Sequence, residues 1–171
     1  DGIQVENCRI YNATILGEGT NMENVQNPDM YVGGIVGSSY KHSGGDPTNI
    51  TNCSVENSLI EGIGNENLEV YVAGVIGGVT WTGVLNVSRC YVYDTIIGAK
   101  AYENQTTHDH ARAYAAGVVG STISATVNVN NNAVIDCSIT ADCNNSNRSY
   151  AASIMGSIYN SANLMGTTTY N

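Results

Sequence analysis

Short apolar runs, each interrupted by glycine, asparagine, serine or aspartate, follow one another along the whole chain. The runs are 4 to 7 residues long and rich in β-branched side chains, a pattern typical of β-strands. No window shows a helical period, and the density of glycine and asparagine disfavours helix. The pattern therefore predicts an all-β chain.

Two motifs alternate along the sequence, with four copies of each. A glycine box (near residues 33, 73, 116 and 152) follows tyrosines that lie 40, 43 and 36 residues apart, namely Tyr31, Tyr71, Tyr114 and Tyr150. A cysteine motif, in which apolar residues stand three before and two after the cysteine, centres on Cys8, Cys53, Cys90 and Cys137. Units of this length bury their apolar faces by stacking on one another. We predict one domain over residues 1–171, a parallel β-solenoid of about four rungs, with about 40 residues and three short strands per rung.

Equivalent residues of neighbouring rungs would lie about 4.8 Å apart. The four tyrosines would then form a ladder of stacked rings or, in the alternative interpretation, a stripe that stacks sugars. The same spacing permits the vertical disulfides Cys8–Cys53 and Cys90–Cys137. A reduced, buried cysteine column is the other interpretation. Cys143 is left over; it could pair with Cys137, bond between subunits or stay free.

Composition and charge exclude several function classes. The net charge is −9 and only 12% of residues are charged, so nucleic acid is not an expected partner, and no apolar stretch is long enough for membrane insertion. No C-x-x-C pair, phosphate-binding loop or hydrolase motif occurs. The acidic residues look scattered, and His108 and His110 fit a solvated loop better than a metal site. We expect no enzyme activity, no catalytic residues, no metal and no cofactor.

Seven N-x-[ST] sequons point to N-linked glycans on a secreted or cell-surface protein. Asparagine also suits solenoid turns, where stacked amides satisfy one another, and this second interpretation fits Asn12 best. Asn49, Asn86, Asn104 and Asn147 are the stronger glycosylation candidates. The full set is Asn12, Asn49, Asn52, Asn86, Asn104, Asn144 and Asn147.

The glycine box, followed by N-C-x-[VI] and then x-I-x-G, resembles the GLUG-type repeat of secreted and cell-surface proteins. The resemblance covers nearly the whole chain and implies a right-handed β-helix-like stack with no catalytic residues. The cysteine column, the longer repeats and Ser153 in the last box depart from the family pattern.

No cap is recognisable at either end of the repeat array, and the chain begins at Asp1 like a processed form. We therefore expect an extracellular, glycosylated structural subunit that stacks head to tail on copies of itself into a filament or surface appendage. A fragment of a longer repeat protein is the competing interpretation of the ends. The alternative function is an adhesive or carbohydrate-binding repeat region of a larger cell-surface protein.

Overall fold

The computed structural model describes residues 3–20, 28–40, 46–66, 68–80, 83–102, 111–123, 125–144, 148–159 and 164–165. Within these ranges the chain forms 21 β-strands and no helix. All strand pairs are parallel and are distributed over five sheets. The predicted all-β parallel solenoid of about four rungs is confirmed.

Each rung contains five strands. The first rung contains β1 (Gln4–Glu6), β2 (Arg9–Tyr11), β3 (Thr14–Thr20), β4 (Asp29–Gly33) and β5 (Val36–Tyr40). The second contains β6 (Thr48–Thr51), β7 (Ser54–Glu56), β8 (Leu59–Asn65), β9 (Glu69–Ala73) and β10 (Ile76–Thr80). The third contains β11 (Val84–Ser88), β12 (Tyr91–Tyr93), β13 (Ile96–Ala101), β14 (Arg112–Ala116) and β15 (Val119–Ile123). The fourth contains β16 (Thr126–Asn130), β17 (Ala133–Ile135), β18 (Ser138–Cys143), β19 (Arg148–Ala152) and β20 (Met155–Tyr159), and β21 (Leu164–Met165) follows it.

The sheets collect the strands that occupy the same place in successive rungs. Sheet 1 has the order β1-β6-β11-β16-β21, and sheets 2 to 5 each take one strand from every rung, beginning with β2, β3, β4 and β5. The expectation of three strands per rung was wrong. Two further bends divide runs that read as continuous in the sequence, one at the left-handed polar residue between sheets 1 and 2 and one inside each glycine box.

Polar residues in the left-handed backbone region make the first two corners of every rung. The corner between sheets 1 and 2 has positive φ at Asn7, Asn52, Arg89 and Asn131, and the corner between sheets 2 and 3 has it at Asn12, Asn57, Asp94 and Asp136. Asparagine and aspartate tolerate this conformation better than other non-glycine residues. At six of these eight corners the next residue is serine, threonine or cysteine, and its hydroxyl or thiol contacts the carbonyl two residues before it, as in Ser58–Glu56 at 2.7 Å and Cys53–Thr51 at 3.3 Å; Ala13 and Asn132 are the exceptions.

The fourth cysteine is displaced by one corner from the first three. Backbone hydrogen bonds stack Cys8 on Cys53 and Cys53 on Cys90, but they place Asn132 next in that column. Cys137 instead stacks on Thr95 in the following corner. The predicted four-cysteine column and the Cys90–Cys137 disulfide are therefore wrong. Asn7–Cys8 and Asp136–Cys137 are each a left-handed polar residue followed by a small one. The sequence VIDC therefore resembles VENC, although the two lie at different corners of the rung.

Apolar columns fill the interior of the stack. One runs Ile15, Ile60, Ile97 and Ile139 in register, and its two middle members are fully buried while the outer two are half-buried. Val5, Ile10 and Met155 are half-buried for the same reason. The first and fourth rungs thus present core side chains at the two ends of the described solenoid.

The glycine boxes contain the tightest approach between rungs. A Cβ at Gly34 would collide with the carbonyl oxygen of Gly74, and one at Gly74 would collide with that of Gly117. Only glycine allows backbones this close. At these glycines the chain bends from sheet 4 to sheet 5.

Asn132 ends the cysteine column with two buried hydrogen bonds. Its Oδ1 accepts from the Cys90 amide at 2.8 Å and its Nδ2 donates to the Val87 carbonyl at 3.0 Å. We expect Asn132→Ala to lower the free energy of unfolding by about 2–3 kcal/mol, because it leaves buried backbone groups unpaired. Urea denaturation of this variant beside the exposed-site control Asn130→Ala measures the effect. A loss no larger than that of the control would contradict this role.

Candidate functional site

Four tyrosine rings stack along the face of sheet 4 that lies opposite the core. The centroids of Tyr31 and Tyr71 are 5.1 Å apart, those of Tyr71 and Tyr114 are 4.8 Å apart, and those of Tyr114 and Tyr150 are 5.4 Å apart, with the rings within 12° of parallel. Tyr71 and Tyr114 are buried, whereas Tyr150 is 47% exposed. Neighbouring rings cover both faces of Tyr71 and of Tyr114. The geometry supports the stacked-ring interpretation and leaves these two rings no free face for a sugar.

A column of charged residues accompanies the tyrosines, one residue standing two positions before each ring. In register order it reads Asp29, Glu69, Arg112 and Arg148. Glu69 and Arg112 form an ion pair at 2.8 Å whose side chains are only 14% and 22% exposed. The column, which we call the charge column, thus has two acids towards the first rung and two bases towards the fourth.

Like charges are neighbours at both ends of the charge column. Burial raises the pKa of Asp29; the hydrogen bond from Tyr31 opposes this increase, and the nearby Glu69 carboxylate adds to it. The Tyr31 hydroxyl donates to Asp29 Oδ2 at 2.9 Å, and the Tyr71 hydroxyl donates to Glu69. Burial, together with these carboxylates, raises the pKa of both tyrosines. The phenols therefore stay protonated and act as hydrogen-bond donors. The hydrogen bond from Tyr31 compensates the negative charge of Asp29 only in part.

A second column, made of amides, follows sheet 1. Asn128 Nδ2 donates to Asn86 Oδ1 at 2.7 Å, Asn86 Nδ2 donates to Asn49 Oδ1 at 2.6 Å, and Asn49 Nδ2 donates to Gln4 Oε1 at 3.1 Å. All three bonds point the same way along the stack. The column, which we call the amide ladder, is therefore polar, with an acceptor at the fourth rung and an amide NH₂ group at the first.

The five cysteines are free thiols in the structure. The Cys53 thiol contacts those of Cys8 and Cys90, and burial raises its pKa and raises that of Cys90 to about 11. Cys137 and Cys143 stand just before β18 and at its end, about 20 Å apart along an extended strand. That separation is far beyond the reach of a disulfide, so the local Cys137–Cys143 pair is also wrong. A Cys8–Cys53 disulfide stays a prediction.

The structure places the sequons in three kinds of environment. Asn12 and Asn52 are exposed at left-handed corners, and Asn52 Nδ2 donates to Asn7 Oδ1 at 2.6 Å. Asn49 and Asn86 use their amide nitrogens in the amide ladder. Asn144 is half-buried after β18. Asn104 and Asn147 lie outside the described residues, as do His42, His108 and His110. Glycosylation at all seven positions stays a prediction.

Two absences hold for the part of the chain that the structure describes. There, no group of three or more histidine, cysteine or acidic side chains is arranged to hold a metal ion. There, too, no helix has the length and apolarity needed to cross a membrane.

The charge column was missed from the sequence, although its signal was present. Each member stands two residues before a repeat tyrosine, but the change of sign halfway along the column conceals it. Asn128 was missed because the fourth repeat was aligned on Cys137, which displaced the whole copy by one corner. A search for the residue two before each tyrosine, regardless of its charge, would have found the charge column.

Comparisons of the chain with protein-family models, curated proteins and solved structures find no match. The resemblance to GLUG-type repeats and the right-handed sense that it implies stay predictions.

Thiol reactivity tests the arrangement of the cysteine column. At pH 8 we expect a thiol reagent to modify Cys8, which is exposed, at least about tenfold faster than Cys53 and Cys90, which are buried with raised pKa values. Because a raised folded-state pKa favours the protonated thiol, stability from this column is complete below pH 9 and falls as the pH approaches about 11. Peptide mass spectrometry gives the modification rates, with urea-unfolded protein as the control. Equal rates in the native protein would contradict the column.

Proposed function

We propose that this chain is an extracellular structural building block that stacks head to tail on copies of itself through the two ends of the solenoid. The observation that carries the proposal is the order of the charge column, acid–acid–base–base. A second copy that continues the register would place its Asp29 directly on Arg148 of the first. Each place where an acid and a base are neighbours along the column would then hold an ion pair: Glu69 with Arg112 within a copy, and Asp29 with Arg148 between copies.

This contact relieves an imbalance that each copy has on its own. Arg148 neighbours Arg112, and Asp29 neighbours Glu69, so each end has an excess of one sign. An isolated surface ion pair contributes little, and Asp29 and Arg148 are both exposed in a single copy, so this pair determines the direction of the contact more than its strength. Pairing with a guanidinium gives the carboxylate a compensating charge and gives the interface a fixed direction.

The apolar and aromatic columns continue through the same contact. Ile15 of the incoming copy would cover Ile139, and Tyr31 would stack on the exposed face of Tyr150. Removing these half-buried side chains from water supplies the favourable free energy. Among the described residues one like-charge pair arises, because Glu18 of the incoming copy would lie over Asp142. Both side chains are exposed, so solvent and salt screen this repulsion.

Charge reversal tests this contact. Asp29→Arg and Arg148→Asp should each raise the concentration needed for assembly at least about tenfold, because each variant has like charges at both ends. An equimolar mixture of the two variants should assemble again as alternating copies, and so should the double variant. Sedimentation velocity and electron microscopy measure the assembly.

The control variants are Asp46→Arg and Arg89→Asp, which change the charge equally at exposed positions in the second and third rungs. They should assemble like the unchanged chain. Monomeric behaviour of the unchanged chain at high concentration would contradict the proposed function. Failure of the mixture to recover assembly would do the same.

The extracellular and glycosylated part of the proposal is supported by the seven sequons. Glycans at the rim of the rungs would shield a polymer from proteases and from lateral strand pairing. We expect the intact mass of the chain from its native source to fall on enzymatic removal of N-linked glycans. An unchanged mass would contradict this part alone.

A further inference from the structure

β21 is the only strand that the described residues place beyond the fourth rung, and it is held weakly. It pairs with β16 at two positions, Leu164 with Val127 and Met165 with Asn128. On its other side β16 pairs with β11 at five positions. Sheets 2 to 5 have no described strand above the fourth rung, so β21 has no lateral neighbour in its own layer among the residues that the structure describes.

The amide ladder is incomplete beneath β21. Asn128 Oδ1 is buried and has no hydrogen-bond partner among the residues the structure describes. The register position above it belongs to Met165, and a methionine side chain carries no N–H group. A buried amide oxygen without a donor costs about 1–3 kcal/mol. β21 therefore occupies this edge of sheet 1 without supplying a hydrogen-bond donor to Asn128 Oδ1.

The strand that would satisfy this edge is β1 of a second copy. Gln4 pairs in register with Asn49, Asn49 with Asn86 and Asn86 with Asn128. A second copy that continues this register places its Gln4 on Asn128 and its Val5 on Val129. The direction of the amide ladder then makes the Gln4 amide the donor to Asn128 Oδ1.

We propose that β21 is a displaceable strand, and that β1 of the incoming copy replaces it on β16 when two copies join. This inference rests on the proposed function and adds its regulation, since the chain restrains its own stacking until β21 leaves. The replacement strand pairs with β16 at three positions or more, as β1 does on β6, where the described residues of β21 pair at two, and it completes the amide ladder. β-strand addition at an exposed sheet edge supplies the hydrogen bonds.

Hydrogen exchange shows directly which strand holds the edge. On assembly, the amides of Gln4 and Glu6, which point away from β6, should become protected, and the amide of Met165, which points towards β16, should lose protection. Assembly with Met165 still protected would overturn the strand replacement while leaving head-to-tail stacking intact.

Truncation gives a second readout. A chain that ends at residue 159 lacks β21 and should assemble at about tenfold lower concentration than the matched control that ends at residue 166 and keeps it. Met165→Gln gives β21 a donor for Asn128 and should raise the concentration needed. Equal assembly of the two truncated chains would overturn the replacement of β21 by β1. Absence of assembly in all of the chains would overturn both this inference and the proposed function.

Discussion

Parallel hydrogen bonding in register between successive rungs is the constraint on which the rest of the structure depends. Once Val5 is paired with Ile50, the residues of sheets 2 and 3 follow at the same sequence offset, and the loop before sheet 4 absorbs the difference in rung length so that sheets 4 and 5 also pair in register. Columns of like residues follow. Isoleucine covers isoleucine in the core, tyrosine stacks on tyrosine outside it, and amide bonds to amide along sheet 1. Each column adds a small energy per step, and all of them share one register.

The same constraint explains why the ends are complementary. A stack built by repetition has no natural end, so its outer rungs keep half-covered core residues and unpaired strand edges. Two columns also have a direction: the charge column changes sign along the stack, and the amide ladder always donates towards the first rung. Directional columns join head to tail, whereas joining like ends would place acid on acid or acceptor on acceptor. This direction is the physical basis for the proposed open, non-closing assembly.

Much of the fold was predictable, because the apolar and tyrosine columns repeat with unchanged chemistry. The apolar positions three before and two after Cys8, Cys53 and Cys90, and the four box tyrosines, were assigned from spacing alone. The fourth cysteine was not, because Asp136–Cys137 and Asn7–Cys8 follow one corner rule at two different corners, and only the hydrogen-bond register distinguishes them. The charge column was hidden for the opposite reason: its positions are equivalent, but its residues differ. A column of identical residues can be recognised in the sequence, whereas a column whose residues change, such as the charge column, can be recognised only once the strand register is known.

The axial rise per subunit in the assembled state tests the account most directly. Rungs lie about 4.8 Å apart, so four rungs that join with β1 directly on β16 give a rise of about 19 Å per copy. Helical reconstruction from electron micrographs or fibre diffraction measures this rise together with the layer spacing. A rise of about 24 Å, which corresponds to five layers with β21 retained, or the absence of the layer spacing would contradict the account.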